Sequence, residues 1–324
     1  MKNNLLIILL STYGLALNFS NYGGEIFREN ISARSGAMGG IASIDNHSLN
    51  PAFVINYEIN DLKISHKKKY SDLININLLS YSRLINTSPY NFVFLNSNIN
   101  NIPNTKSAWN DNGDGIIEIH EINYNKITMF SHSEYGFLIS TARKLNNLKI
   151  GPNSYLSLPI GIRLKTNFSL IEQYYGLGML FDTGTFFNIS ERLIFHTWIE
   201  NFLNIKYWST KNLEFIYPNL ILGVHYKSNK ICYGMETNIT STNNRFSNIL
   251  DFYKIGIEYI SLEKVNIRVG TSFSNIITAG FGFSLDIIEI DYALMISKTN
   301  NIFPPTHQFE LSFDPKYLKN YLTK

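Results

Sequence analysis

The sequence predicts an all-β protein whose strands close as a transmembrane antiparallel β-barrel of about 14 strands. Three observations carry this expectation. Run after run alternates large apolar residues with polar or small ones at period two. The composition is 44% apolar and 14% aromatic but only 16% charged, against roughly 25% charged in soluble domains. Past the N-terminus nothing approaches the roughly 18 to 20 consecutive apolar residues that a spanning helix needs. With 20 Tyr, 22 Phe and 3 Trp, the chain can bury ample surface, which excludes disorder.

At the N-terminus, Met1-Lys2-Asn3-Asn4 precedes an apolar run over residues 5–10, and Gly14 and Ala16 follow. One positive charge, a short apolar core and small residues read as a secretory signal peptide over residues 1–16, with a second candidate cut after Ser20. A buried N-terminal helix is the alternative, but no amphipathic period extends the run. The expected organisation is then an N-terminal segment over 17–52, a barrel over 53–313 and a tail over 314–324.

The barrel strands are read from their two faces. In residues 264–272, Val265, Ile267, Val269 and Thr271 oppose Asn266, Arg268, Gly270 and Ser272. In 276–285, Ile277, Phe281, Phe283 and Leu285 oppose Thr278, Gly280, Gly282 and Ser284. The same grammar runs through 286–296, and upstream through 158–168, 174–184 and 252–260. Asn146-Asn147, Ser228-Asn229, Asn300-Asn301 and Pro304-Pro305 supply turn chemistry between strands. The segments measure roughly 9 to 11 residues, the length of a tilted crossing strand.

A soluble sandwich and a membrane barrel both fit such alternation; the charges on the minority face weigh toward the barrel. Arg163, Lys165, Asp182, Glu236, Lys254, Glu258, Arg268, Glu289, Asp291 and Glu310 alternate with large apolar residues. In a membrane barrel they line a wet or plugged lumen and pair across strands. Phe309, Leu311 and Phe313 form an aromatic-ended last strand. Trp198 and Trp208, near strand ends, are read as interface anchors.

Other chemistry is sparse. Lys and Arg are scattered apart from Lys67-Lys68-Lys69, so no nucleic-acid footprint exists. Cys232 is the only cysteine, which excludes an internal disulfide and a Cys-based zinc site. His132, His196, His225 and His307 lie in no nucleophile motif, and each is read as a lumen or girdle residue; no enzyme and no required cofactor are expected. One loop follows the calcium-binding pattern: Asn110, Asn112, Asp114 and Glu121 at positions 1, 3, 5 and 12, the Ile116 carbonyl at 7, and Gly115 at 6. Asn110 replaces the usual Asp, and a plain Asn/Gly-rich surface loop is the other reading.

Several segments, in order, resemble the PorV/PorQ-type outer-membrane proteins, relatives of the FadL-like fatty-acid channels. They include residues 32–42 with Gly36, Gly39 and Gly40, then Asn50-Pro51-Ala52, Phe181-Asp182-Thr183-Gly184, Tyr217-Pro218, Gly256-Ile257-Glu258-Tyr259, Arg268-Val269-Gly270 and Asp291-Tyr292-Ala293. The resemblance spans roughly residues 30 to 313; Phe53 stands where the family usually has Gly. It implies a 14-stranded outer-membrane barrel whose N-terminal segment, with Gly36, Gly39, Gly40, Asn50 and Pro51, enters the lumen as a hatch beside Arg163, Asp182, Glu258, Arg268 and Asp291. It also implies FadL-like passage of hydrophobic or small solutes, a type IX secretion role with exported proteins as partners, or a surface barrel without transport.

Overall fold

The computed structural model describes residues 19–20, 24–29, 32–41, 49–56, 61–110, 113, 115, 118–149, 155–239, 253–262, 264–272, 275–285, 287–298 and 304–316. The expected signal peptide, apart from its second candidate cut at Ser20, and the tail beyond residue 316 lie outside these residues. The wall is made of β1 (Leu62–Lys69), β2 (Ile74–Ile85), β3 (Ser88–Asn104), β4 (Thr128–Lys149), β5 (Tyr155–Ile171), β6 (Tyr174–Asn188) and β7 (Leu193–Trp208). It continues with β8 (Asn219–Lys227), β9 (Ile231–Asn238), β10 (Tyr253–Leu262), β11 (Val265–Ser272), β12 (Ile276–Ser284), β13 (Ile288–Ser297) and β14 (Thr306–Phe313). Each strand pairs antiparallel with its sequence neighbour, and β14 pairs with β1, Phe309 opposite His66 and Phe313 opposite Leu62. The expected 14-stranded closed barrel is therefore the fold. Closure removes both sheet edges.

Alternation sorts the two surfaces as expected. Ile257, Ile267, Val269, Phe281 and Phe309 are about half exposed on the outside, while their neighbours Glu258, Arg268, Thr278 and Glu310 are buried inside. An apolar exterior around a polar interior inverts the soluble pattern and matches a wall immersed in hydrocarbon.

Strand lengths depart from the uniform expectation. The strands β3 to β7 run 17, 22, 17, 15 and 16 residues, well beyond the roughly 9 to 11 of a tilted crossing. In β4 the excess projects past the packed wall: residues 143–146 are exposed in succession, on both faces of the strand. Hairpins are closed by left-handed residues, such as Asn86 (φ 47°) and Thr87 (φ 67°) between β2 and β3, the twist that two-residue hairpins favour.

Phe19–Ser20 pair parallel with Phe215–Ile216, and the described residues from Ile26 to Val54 are mostly buried inside the barrel. Helix α1 (Ala33–Ala37) packs on β11 to β14, and the 3-10 turn Pro51–Asn56 packs on β3 to β6. The first wall strand thus begins at Leu62, not at residue 53 as the sequence reading has it. Phe53 and Val54 are fully buried within the lumen. Pro51 opens the 3-10 turn, where its fixed φ is suited, and the Asn50 side chain accepts from Ala52 N at 2.9 Å; together they turn the chain inward.

A charge placed on the outer face tests the orientation. Phe281→Arg should destabilise the folded barrel in bilayers by about 2–4 kcal/mol if that position lies near the midplane, measured as a lower urea midpoint of the heat-modifiable folded band; no change would contradict a lipid-facing Phe281.

Candidate functional site

The inner wall carries a network of buried charge set by strand register. Glu258 of β10 lies opposite Arg268 of β11, and Arg268 Nε donates to Glu258 Oε1 at 2.7 Å while Nη1 donates to Asp291 of β13. Arg163 of β5 faces Asp182 of β6. Arg163 Nη1 stands 3.8 Å from Asp182, and Lys165 Nζ stands 2.7 Å from it. Such groups are tolerable away from bulk water only with partners, and each of these has one.

The N-terminal segment completes this network. Ser32 caps α1, accepting from Ser35 N at 3.3 Å, and Ala33 N donates to Glu310 of the wall at 3.0 Å. Arg34 reaches Glu258 at 2.5 Å. Past α1, Gly39 and Gly40 both take φ 76°, a region that glycine enters without steric cost. Gly39 N donates to Thr278 Oγ1 at 2.9 Å, and Gly40 O accepts from Lys254 at 3.1 Å. At the other end, Asn50 donates to Thr185 O at 3.2 Å and Leu49 O accepts from Arg163 at 2.6 Å. Gly161 admits the Pro51–Asn56 turn, since a Cβ there would run into the backbone of Pro51 and Ala52; Gly36 lies against Met295, Gln308 and Ala293. The structure thus brings together Gly36, Gly39, Gly40, Asn50, Pro51, Arg163, Asp182, Glu258, Arg268 and Asp291 in one lumen.

Glu29 adds a clasp that sequence reasoning missed, because its partners are remote in sequence. It meets Lys67 at 3.0 Å and Lys69 at 2.6 Å. Burial opposes its ionisation, yet the two ammonium groups prevail and hold the carboxyl down at about 2. The clasp therefore stays charged until strong acid.

Beside the charges lies an apolar compartment. Leu78, Val93, Leu95, Leu138, Leu180 and Ile221 point inward from the wall, and Ile26 and Phe27 of the N-terminal segment cover them. Behind the same strands, on the outer face, is an apolar groove of about 460 Å³ lined by Phe94, Phe137, Leu177, Met179, Ile205 and Tyr207 among others. Gly136 lines the groove too, and a Cβ on it would press on Phe27 inside. Only one backbone layer separates groove from compartment there.

Among solved structures, the chain is similar to the P. putida toluene transporter TodX, with TM-score 0.57 and 10% identity over 88% of this chain and 97% of that one. It is also similar to the monoaromatic hydrocarbon channel CymD, with TM-score 0.51 and 10% identity over 91% and 97%. The chain shares the closed 14-stranded barrel fold of these two proteins. At this identity the likeness concerns the fold alone. No protein-family model matches the sequence, and no curated protein does.

Two readings of the sequence need revision on this wall. Trp198 is buried in the lumen, stacked on His196 with ring centroids 5.5 Å apart. Trp208 lies under Lys206, whose Nζ is 4.4 Å from its ring centroid, and against Gly176. Both tryptophans follow the inward parity of their strand, so neither is an interface anchor. In the loop of residues 110–121, Asn112, Asp114 and Ile116 lie outside the described residues. Asn110 N donates to Glu121 O at 3.1 Å, which brings the first and twelfth positions together. The Glu121 carboxylate accepts from Trp109 Nε1 at 2.9 Å, and the Asn110 side chain accepts from Lys126 at 3.3 Å.

The lumen network should be costly to break from one side. Arg268→Met strands Asp291 and should destabilise the barrel by about 3–5 kcal/mol, read from the urea midpoint; adding Asp291→Leu should recover part of the loss, whereas no recovery would mean that the two side chains are not coupled.

Proposed function

We propose that this barrel passes small hydrophobic molecules across the outer membrane, with the N-terminal segment of residues 17–52 as the hatch over its lumen. The observation that carries the reading is the apolar compartment under Ile26 and Phe27. A barrel serving water-soluble solutes gains nothing from inward-facing Leu78, Val93, Leu95, Leu138 and Leu180, whereas an apolar ligand gains about 25 cal/mol for each Å² it removes from water. Phe27 occupies the place such a ligand would take, held against Gly136. The outer groove lies across the same strands, so an apolar molecule on the outer face would be one backbone layer from the compartment. Similarity in fold to channels for toluene and other monoaromatic hydrocarbons supports the same class. Passage in this reading needs no energy source: the gradient drives it, and displacement of Phe27 frees the compartment for the ligand.

Equilibrium binding of toluene to the purified barrel in detergent tests the proposal. The parent should bind it, and Leu138→Asp should weaken binding by at least about tenfold, which corresponds to 1.4 kcal/mol, less than the burial of one leucine. A parent that binds no hydrocarbon refutes the reading. Capture of exported proteins by such a parent would support the secretion role implied by the PorV/PorQ resemblance, and binding of neither would leave a surface barrel.

Calcium in the loop of residues 110–121 is a separate proposal, supported by the meeting of its first and twelfth positions. An ion there would draw Glu121 away from Trp109. Added calcium should therefore shift Trp109 fluorescence in the parent and not in Asp114→Ala; an unchanged parent spectrum rejects the ion.

A further inference from the structure

Three consecutive strands place His196 (β7), His225 (β8) and Glu236 (β9) on one patch of the inner wall. The register makes the patch. His196 lies opposite Gly223, and Gly223 lies opposite Glu236, so the three form one row across the sheet. His225 follows Gly223 by two residues on the same face, opposite Gly234. Both glycines are needed: a Cβ on Gly223 would run into the His196 imidazole and stand 2.9 Å from Glu236 Cγ, and one on Gly234 would stand 2.7 Å from the His225 ring. The sheet thus leaves floor space for two imidazoles and a carboxylate side by side.

All three side chains are 1% exposed or less. Glu236 Oε1 lies 3.6 Å from His196 Nε2 and 3.9 Å from His225 Nε2. The imidazole rings are 4.7 Å apart between centroids. Among the described residues, none of the four ring nitrogens has a hydrogen-bond partner. Buried donors and acceptors left this way cost about 1–3 kcal/mol each, and native structures rarely tolerate even a few. Convergence of three ligand-type side chains at this burial has a simpler chemical meaning.

We propose that His196, His225 and Glu236 bind a divalent transition-metal ion of the zinc class. Two imidazoles and a carboxylate suit such an ion better than magnesium or calcium, which favour oxygen alone. With metal–ligand bonds of about 2.0–2.2 Å, tetrahedral geometry separates ligand atoms by roughly 3.3 Å. The two nitrogen–oxygen separations of 3.6 and 3.9 Å lie near that value, and the three ligand atoms all fall within 4.8 Å of one another, so an ion would draw the side chains together from an already convergent arrangement. Three protein ligands leave a fourth position for water or an anion. The ion would tie β7, β8 and β9 to one another beneath Phe53, whose ring lies 5.4 Å from His196 at a tilt of 59° and 6.5 Å edge-on from His225. This site stands apart from hydrocarbon binding and does not depend on it.

The test uses the full chain, refolded from urea into detergent with Co²⁺ or Zn²⁺ and then passed over a chelating resin. The parent should retain one ion per chain, and retained Co²⁺ should show the visible bands of a low-coordinate nitrogen–oxygen site. His225→Gln and Glu236→Gln should each lower retained metal by more than about tenfold, since loss of even an outer-shell partner of a ligand costs about that much. His132→Gln, outside the cluster, should retain it in full. A parent that keeps no metal after refolding overturns the site, as does equal retention by the ligand variants. Should those variants fail to give the heat-modifiable folded form, the Co²⁺ spectrum of the parent decides alone, and a spectrum of hydrated ion overturns the proposal.

Discussion

Hydrocarbon offers a peptide group no hydrogen-bond partner, and the rest of the molecule depends on this constraint. Every wall strand must be paired along both sides, so the ladder between β14 and β1 is required for the sheet to exist in a bilayer at all. Closing fourteen strands encloses more space than side chains from the wall alone can fill. The inward parity of each strand then faces a choice between water and protein. Here it meets protein: Arg34, Gly39, Gly40, Leu49 and Asn50 each satisfy a wall group.

The lumen holds two chemistries side by side. Around α1 the contacts are charged and specific, with Arg34 and Arg268 sharing the Glu258 carboxylate. Around Ile26 and Phe27 they are mainly apolar, with the Lys165 ammonium 5.6 Å from the Phe27 ring centroid. Directional contacts fix the register of the segment against the wall, while the apolar side can exchange one greasy occupant for another at little cost in geometry. Glu29, bound to Lys67 and Lys69, lies close in sequence to Phe27 and limits how far that end can travel.

Much of the wall was legible in the sequence because alternation at period two reports parity directly. That is why the inward set of Arg163, Asp182, Glu258, Arg268 and Asp291 could be named before any coordinates. Parity says nothing about neighbours, however. The row formed by His196, Gly223 and Glu236 needs the register between β7, β8 and β9, and no local pattern encodes it. Trp198 misled because position near a strand end suggested a girdle; in the structure it shares the inward face of His196, two residues away. Phe53 misled for the opposite reason: it lies in a 3-10 turn, where alternation carries no information about burial.

The two anchorages of the N-terminal chain lie on nearly opposite sectors of the cylinder, β11 to β14 for α1 and β3 to β6 for the turn at Pro51–Asn56. A hollow sheet tube flattens readily, since its ladders hinge along their length. Inner contacts on both sectors brace the wall as struts brace a rim, so the cross-section of the tube is set by the wall and by what is seated within it together.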